Sequence, residues 1–396
     1  MTSIHDSARR CLSSPSFRSA LFAFLITRLP ILVIFLLATN LRLQDPVPDF
    51  GTAVQEPVIS LRQPNLAQRM GRAMLYADAL WYTDIARLGY EHQPFEATRQ
   101  HSWAFLPLFP LLYRLAANLT GEYPLTGSIL SSIFFLLALI QLHKMIVELK
   151  YYPEDANRAV FYLAAFPTSY FFSLPVTESL FLLLSVSSFR SARNDSWWLA
   201  GTFGGLAAAT RVAGLFLLPV LVIFYWQQHR SDFLKVRLLA LLLVPAGILP
   251  FMIYLHYITG DALAFLHIQA AWGHSFVFFL KPIWSYIANP LDINMGWDFR
   301  LLNFVCATMM FVCGLVLLKR RQWALAVYTL LSVVVPLSGT MLQSLTRYTM
   351  VTFPVFIVLA IAGRSYLVDQ TIRTVFVILL GLMTALFALH FGMAMS

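Results

Sequence analysis

The residues whose types and spacing are best suited to chemistry lie between Tyr76 and Tyr113, in the stretch YADALWYTDIARLGYEHQPFEATRQHSWAFLPLFPLLY. This stretch combines the carboxylates of Asp78 and Asp84 and the imidazole of His101 with many Trp, Tyr and Phe residues, although only 12% of the chain is charged. A carboxylate among aromatic side chains is suited to general-base catalysis, because partial removal of water makes it a better proton acceptor. Asp78 is therefore the first candidate for a catalytic residue.

The element that must position Asp78 is a short helix. Apolar residues recur at helical spacing from Leu80 to Leu88, which predicts a helix that begins near Asp78 and lays its aromatic face on apolar surface. The structural alternative for Asp78 is capping of that helix. Asp84 lies roughly on the opposite side, where solvation or pairing with Arg87 is the simpler interpretation, so it is the second-choice acid.

The composition places the chain in a membrane. Of its 396 residues 59% are hydrophobic, and the mean hydropathy is +0.69, whereas soluble domains carry about 25% charged residues. The net charge of +9 comes from Lys and Arg residues scattered singly between apolar runs, as is typical of membrane-protein loops. The lipid bilayer is thus an expected partner, and nucleic acid is not.

The distribution of positive charge predicts the topology. Arg9, Arg10 and Arg18 precede the first apolar run, which places the N-terminus in the cytoplasm and the following loop, about 41–124, outside. The later apolar runs can be threaded so that clusters of Lys and Arg fall inside, which predicts about eleven transmembrane helices. No internal repeat is visible, so we expect a single membrane domain over residues 1–396, in the cytoplasmic membrane of a bacterium.

One apolar run inside the predicted external loop is too short to be a standard span. Residues 104–119 contain Pro107 and Pro110 and fall below the ~20 residues that a transmembrane helix needs. They are predicted to form a helix that lies at the outer surface, with a kinked span as the alternative.

Single charges inside apolar sequence mark a second group of candidates. Glu178, Arg211 and Arg347 are each flanked by long apolar runs, and such charges indicate function or a specific partner. One prediction is that Glu178 and Arg211 pair with each other. The alternative is that Arg211 and Arg347 together bind an anionic group, because the shape of a guanidinium matches phosphate oxygens. Arg28 in the first span is either a third such group or a side chain that snorkels to the membrane surface.

No cofactor motif is present. His92, His101, Glu91 and Glu96 are spaced unlike any zinc motif, so no cofactor is predicted, and a divalent metal is left open without support. The chain also has neither a P-loop nor a GxGxxG sequence after a strand. A substrate anchored in the lipid fits these residues better than a nucleotide.

The sequence resembles the PIG-V family, the GPI second mannosyltransferases and their bacterial relatives, which belong to the GT-C class of polytopic glycosyltransferases. Each motif is weak alone, but their order along most of the chain is specific. The motifs are Asp78–Tyr82, Ile85–Ala86, Gly89–Tyr90, Ala104–Pro110, Phe166–Phe172, Thr177–Phe181, Ala209–Arg211 with Gly214, Gly260–Asp261 with Ala264–Phe265 and Trp272, and Arg347–Tyr348 with Phe353–Pro354.

The resemblance implies an all-α, GT-C-like bundle that transfers mannose, with inversion, from a polyprenyl-phosphate-mannose donor. The acceptor would be a glycan, a lipid or a protein at the outer face of the membrane. The acid of the first external loop, Asp78, would be the base. In the family pattern a Trp usually precedes this acid, whereas Tyr76 and Ala77 precede it in this chain.

The candidate substrate-binding residues add aromatic faces to the isolated charges. Aromatic belts at membrane interfaces are the structural alternative for these rings. The set comprises Trp81, Tyr82, His101, Trp103, Glu178, Arg211, Arg347 and Tyr348.

Two other classes of protein compete with a transferase. A transporter or flippase of lipid-linked sugars would carry ionisable groups at mid-depth in several spans and would show repeat symmetry. A noncatalytic membrane subunit that supports another transferase would keep the same motifs.

The predicted topology can be tested with reporter fusions. A reporter placed after Gly121, or within residues 44–100, should behave as external, whereas one placed between Arg230 and Arg237 should behave as cytoplasmic. The activity of alkaline phosphatase fusions reports an external position, and the fluorescence of fluorescent-protein fusions reports a cytoplasmic one. The opposite result at either place would contradict the threading.

Overall fold

The computed structural model describes residues 14–41, 66–229, 236–273, 275–290, 300–339, 342 and 344–390, without the side chains of 67, 68 and 72. Within these residues the chain is helical and contains no β-strand. The predicted all-α class is therefore confirmed. Three parts of these predictions lie outside the described residues: Arg9 and Arg10, residues 42–65 of the predicted external loop, and residues 230–235 of the predicted reporter position.

The helices vary widely in length and several are separated by 3-10 turns. The 3-10 turns are Ser102–Ala104, Ser169–Ser173, Val212–Phe216, Val236–Leu242 and Ile268–Trp272. The α-helices are α1 (Pro15–Leu41), α2 (Leu66–Met74), α3 (Asp78–Leu88), α4 (Leu108–Thr120), α5 (Pro124–Glu148), α6 (Pro153–Ala165), α7 (Glu178–Arg193), α8 (Trp197–Ala208), α9 (Leu217–Gln228), α10 (Leu243–Ala246), α11 (Leu249–Thr259), α12 (Ala264–His267), α13 (Leu280–Ala288), α14 (Arg300–Lys319), α15 (Trp323–Leu337), α16 (Leu345–Val351), α17 (Pro354–Ala362) and α18 (Tyr366–Ala388).

In the described part of the chain, five helical stretches are long and apolar enough to cross a membrane. They are α1, α5, the run Val236–Thr259, α14 and α18. The pair α16 and α17, which bends by 82°, would make a sixth. Several predicted spans form shorter helices, for example α6 with 13 residues and α8 with 12. The expected number of about eleven spans is therefore not confirmed.

Helix α4 lies where the sequence predicted a surface helix. It buries Phe109, Tyr113 and Ala117 on one side, whereas Leu115 and Leu119 on the other side are exposed. Its 13 residues are fewer than the ~20 that cross a bilayer. The helix ends at Gly121, whose φ of 72° closes the last turn without Cβ strain.

The core is built around α5, α6 and α7. Helix α5 packs against α7, and α1 packs against α6 and α18. The turn Ser169–Ser173 joins α6 to the segment that leads into α7, and Phe172 in this turn stacks on Phe135 of α5 at 4.2 Å between ring centroids. This packing brings the start of α7 into the interior of the bundle.

Small residues allow α8 to approach the run Val236–Thr259 closely. An added Cβ at Gly201 would lie 2.0 Å from the carbonyl oxygen of Ala240, and one at Gly205 would lie 2.4 Å from that of Leu243. Glycine on membrane helices permits such backbone contact, which strengthens dispersion packing. These positions therefore leave no room for a side chain.

We expect Gly205→Ala to destabilise the protein by about 1–3 kcal/mol, because the backbone of Leu243 must move. Gly381→Ala is the matched control, since an added Cβ there meets nothing within 4 Å and alanine favours the helix by ~0.5–1 kcal/mol. Thermal unfolding of both purified variants measures the difference. Equal unfolding temperatures would contradict the packing described for α8.

Candidate active site

Asp78 occupies the first turn of α3, but it does not cap the helix. The preceding residue, Ala77, has a φ of 53°, a conformation that an L-residue with a Cβ rarely adopts, and no side-chain capping bond is formed. The Asp78 carboxylate instead accepts a hydrogen bond from Arg347, with 2.7 Å between Oδ2 and Nη1. One third of the Asp78 side chain remains exposed, so the carboxylate can still be reached.

Glu178 begins α7 and is fully buried. Its Oε1 atom accepts hydrogen bonds from Arg347 Nε at 3.0 Å and from Arg211 Nη1 at 2.9 Å. Arg211 Nη1 also donates to Thr177 Oγ1 at 3.1 Å. The acid therefore fixes both guanidinium groups in one place.

The structure thus brings together the four charged candidates, Asp78, Glu178, Arg211 and Arg347, which we call the charge cluster. Two acids and two arginines cancel in formal charge. Such neutralisation is needed where water is excluded, because removing one partner would leave an uncompensated buried charge. Glu178 and Arg211 form the pair that the sequence left open. Arg347 donates to the same atom, Glu178 Oε1.

Some polar atoms of the charge cluster have no hydrogen-bond partner among the described residues. Glu178 Oε2 is buried without a hydrogen-bond partner among the described residues. Within the described part of the chain only Nη1 of Arg211 donates hydrogen bonds, and 17% of the Arg211 side chain is exposed. Arg211 therefore has N–H groups that an incoming anion can reach.

Aromatic rings surround the cluster. The guanidinium of Arg347 lies 4.4 Å from the centroid of the Phe171 ring, and that of Arg211 lies 5.6 Å from Tyr348. Rings at these distances attract cations through their negative faces. The hydroxyl of Tyr82 lies 3.4 Å from Thr177 Oγ1, which brings another candidate residue against the cluster.

Trp272 joins the aromatic surface next to α3. Trp81 stacks on Phe105 at 5.6 Å, and Trp272 lies 6.1 Å from Trp81 and 6.0 Å from Phe105, between ring centroids. In the sequence, Trp272 is marked only by its place in a motif. Its proximity to Trp81 depends on tertiary packing, so no local pattern in the sequence indicated it.

His101 and Trp103 pack against each other in the segment that follows α3. His101 is buried, and its Nδ1 lies 2.5 Å from Glu91 Oε2. Trp103 is also buried; it stacks on His101 at 4.2 Å and donates from Nε1 to the carbonyl oxygen of Glu91 at 2.9 Å. The hydrogen bonds and ring contacts of these two candidates are made within residues 91–103 and not with the charge cluster.

Asp84 is separate from the charge cluster. Its carboxylate accepts no hydrogen bond from a described residue, and partial burial raises the pKa of Asp84 from 3.8 to about 6, although Arg87 acts in the opposite direction. The predicted interaction with Arg87 is therefore electrostatic. Across the described residues, no group of three or more His, Cys, Asp or Glu side chains could hold a metal ion.

The fold and the site together define a polytopic membrane protein with a cluster of acids and arginines among its helices. The sequence model for the mannosyltransferase (PIG-V) family matches residues 19–307, and the chain belongs to this family. The match includes Asp78, Glu178 and Arg211, whereas Arg347 follows it in the chain.

Solved structures of an archaeal oligosaccharyltransferase from Archaeoglobus fulgidus are similar to this chain. One, tethered to an acceptor peptide containing the NVT sequon, is 12% identical with a TM-score of 0.45, covering 91% of this chain and 55% of its own. Another, named AglB and bound to an inhibitory peptide and a dolichol-phosphate, is 12% identical with a TM-score of 0.45, covering 90% and 56%. The chain thus spans about half the length of these proteins. No curated protein matches it.

The raised pKa of Asp84 predicts a pH-dependent effect on stability. Ionised Asp84 destabilises the folded state; this effect is complete above about pH 6 and disappears as the pH falls towards the ordinary value of 3.8. Asp84→Asn should therefore raise the unfolding temperature at pH 7.5 and lose that advantage near pH 4.5. Thermal unfolding at both pH values measures the change.

Asp261→Asn provides a control of opposite sign. Burial favours the neutral form of Asp261, but hydrogen bonds from His267 and from the Leu263 N–H outweigh burial and lower its pKa. Its replacement should lower the unfolding temperature at pH 7.5. A pH-independent effect of Asp84→Asn would show that the carboxylate is fully hydrated.

Proposed function

We propose that this protein transfers mannose from a polyprenyl-phosphate-mannose donor to a hydroxyl group of a glycan, lipid or protein acceptor, at the outer face of a bacterial cytoplasmic membrane. The observation that carries the proposal is the charge cluster, in which a reachable carboxylate lies 2.7 Å from an arginine held by a buried acid. Family membership supports the transfer of mannose. A lipid-linked donor suits a site built among membrane helices.

The proposed reaction is a direct displacement. Asp78 accepts the proton of the acceptor hydroxyl while that oxygen forms a bond to the anomeric carbon of mannose. The bond from this carbon to the phosphate oxygen breaks, and its electron pair remains on the polyprenyl phosphate. Attack opposite the leaving group inverts the anomeric configuration.

Arg211 and Arg347 would stabilise the negative charge on the leaving phosphate. Guanidinium groups bind phosphate oxygens through paired N–H donors, and the Nε and Nη2 atoms of Arg211 have no acceptor among the described residues. Because Glu178 holds both arginines before substrate arrives, little reorganisation is needed during the reaction. Preorganised charge of this kind is a major source of catalysis.

The ion pair between Asp78 and Arg347 would also order the reaction. Arg347 uses Nη1 for Asp78, whereas its Nε binds Glu178. A donor phosphate that takes over Nη1 would release the Asp78 carboxylate and leave the guanidinium anchored to Glu178. Asp78 would then become a free base once the donor is in place.

The proposal is tested by comparing two amide substitutions in the same helix. A general base contributes ~10²–10⁴-fold to the rate, so Asp78→Asn should lose about that much mannosyl transfer and still bind the donor. Asp84→Asn should retain activity, since the carboxylate of Asp84 lies apart from the charge cluster. Reconstituted protein, polyprenyl-phosphate-mannose and a panel of acceptors provide the assay.

The two variants control for each other because both change a carboxylate of α3. An active Asp78→Asn variant beside an inactive Asp84→Asn variant would identify Asp84 as the base. Full activity of both would remove the base from this helix. Absence of transfer by the wild type with every acceptor and polyprenyl-phosphate sugar would refute the donor class.

A further inference from the structure

Arg28 is a buried cation whose partners inside the protein are neutral. It lies in α1 and is 7% exposed. Its Nε donates to Thr27 Oγ1 (3.3 Å), Nη1 to Ser169 O (2.6 Å) and Ser173 Oγ (3.3 Å), and Nη2 to Ala164 O (2.8 Å) and Ser169 Oγ (2.7 Å). A guanidinium has five N–H donors, so every donor is used.

Neither role predicted for Arg28 from the sequence matches this geometry. With all donors occupied, the side chain has none left for a phosphate. Because it is buried among protein atoms, it does not snorkel to the membrane surface either. A charge in such a place is costly and indicates a specific task, and four of its five hydrogen bonds go to one short region of chain, 164–173.

Residues 164–173 contain the end of α6 and the turn that follows it on the way to α7. Arg28 binds Ser169 and Ser173, which are the first and last residues of the 3-10 turn. Phe171, at the centre of the same turn, presents its ring to the guanidinium of Arg347 at 4.4 Å. The turn therefore connects Arg28 of α1 with Arg347 of the charge cluster.

The segment around this turn also contacts the chain neighbours of two cluster residues, Arg347 and Glu178. Thr168 donates from Oγ1 to the carbonyl oxygen of Thr346 at 3.3 Å, directly before Arg347 in the chain. Ser179, directly after Glu178, donates from Oγ to the carbonyl oxygen of Phe172 at 3.0 Å. Movement of the turn would therefore shift both members of the buried ion pair.

We infer that Arg28 is a positioning residue for the transfer reaction: it holds the turn Ser169–Ser173 so that Glu178 and Arg347 keep the geometry that the leaving phosphate requires. This inference rests on the proposed function for its effect on catalysis. The structural part, that Arg28 orders the turn, is independent of the substrate.

The test uses Arg28→Lys, which keeps the charge but has three N–H donors in place of five. We expect kcat to fall ~10–100-fold, as a small misplacement of catalytic groups causes, with a smaller change in KM for the donor. Hydrogen exchange should become faster in the peptide 166–178 and stay unchanged in α8. Ser169→Ala, which removes one partner hydroxyl, should show a milder form of both effects.

Arg190→Lys is the matched control. Arg190 also joins two helices, because its guanidinium binds Glu148 and Gln141, but it lies twelve residues from Glu178 along α7, or ~18 Å. This variant should lose thermal stability without losing kcat per folded molecule.

The outcomes separate this inference from the proposed function. If Arg28→Lys lowers activity only in proportion to folded protein, or leaves exchange in 166–178 unchanged, Arg28 has no positioning role. If Arg28→Lys does not fold, the same measurements on Ser169→Ala decide. If the wild type transfers no mannose, the proposed function fails, while the exchange experiment still tests whether Arg28 orders the turn.

Discussion

The guanidinium of Arg347 lies between two carboxylates, and the arrangement of the site depends on it. Its Nη1 atom binds the partly exposed Asp78, and its Nε atom binds the buried Glu178. In surroundings of low polarity each of these charges would be costly alone, so each requires the others. The contact joins α3 to the interior of the bundle and couples the candidate base to the candidate phosphate site.

The ends of helices help to hold these charges. Glu178 is the first residue of α7 and Asp78 is in the first turn of α3, where the helix dipole favours negative charge. Arg211 follows the C-terminal end of α8, where the dipole favours positive charge. Arg347 is the third residue of α16, and the 82° bend to α17 follows the end of this helix. Interrupted helices inside a membrane protein are stable only where their freed backbone groups find partners, and Arg28 supplies such partners to the turn before α7.

A second apolar cluster stabilises the region next to α3 and connects two distant segments of the chain. Trp103 packs there with Phe265, and the Phe95 N–H donates to the carbonyl oxygen of Thr259 at 2.9 Å. These contacts hold the loop after α11 against the loop that follows α3. Trp272 consequently lies next to Trp81, and the two rings form an aromatic surface together with Phe105.

The sequence alone determined the helical class, the membrane environment, the start of α3 near Asp78 and the charged residues of the site. These properties follow from composition, from local periodicity and from the high cost of isolated charges in apolar runs, all of which are readable over short windows. Only the tertiary structure decided which charges pair, since Glu178 is separated from Arg211 by 33 residues and from Arg347 by 169. It also decided that the hydrogen bonds and ring contacts of His101 and Trp103 stay within residues 91–103, that Trp272 lies next to Trp81, and that Arg28 binds a turn. Such contacts depend on how broken helices pack against one another. Hydropathy is a property of each apolar run taken separately, so it carries no information about that packing.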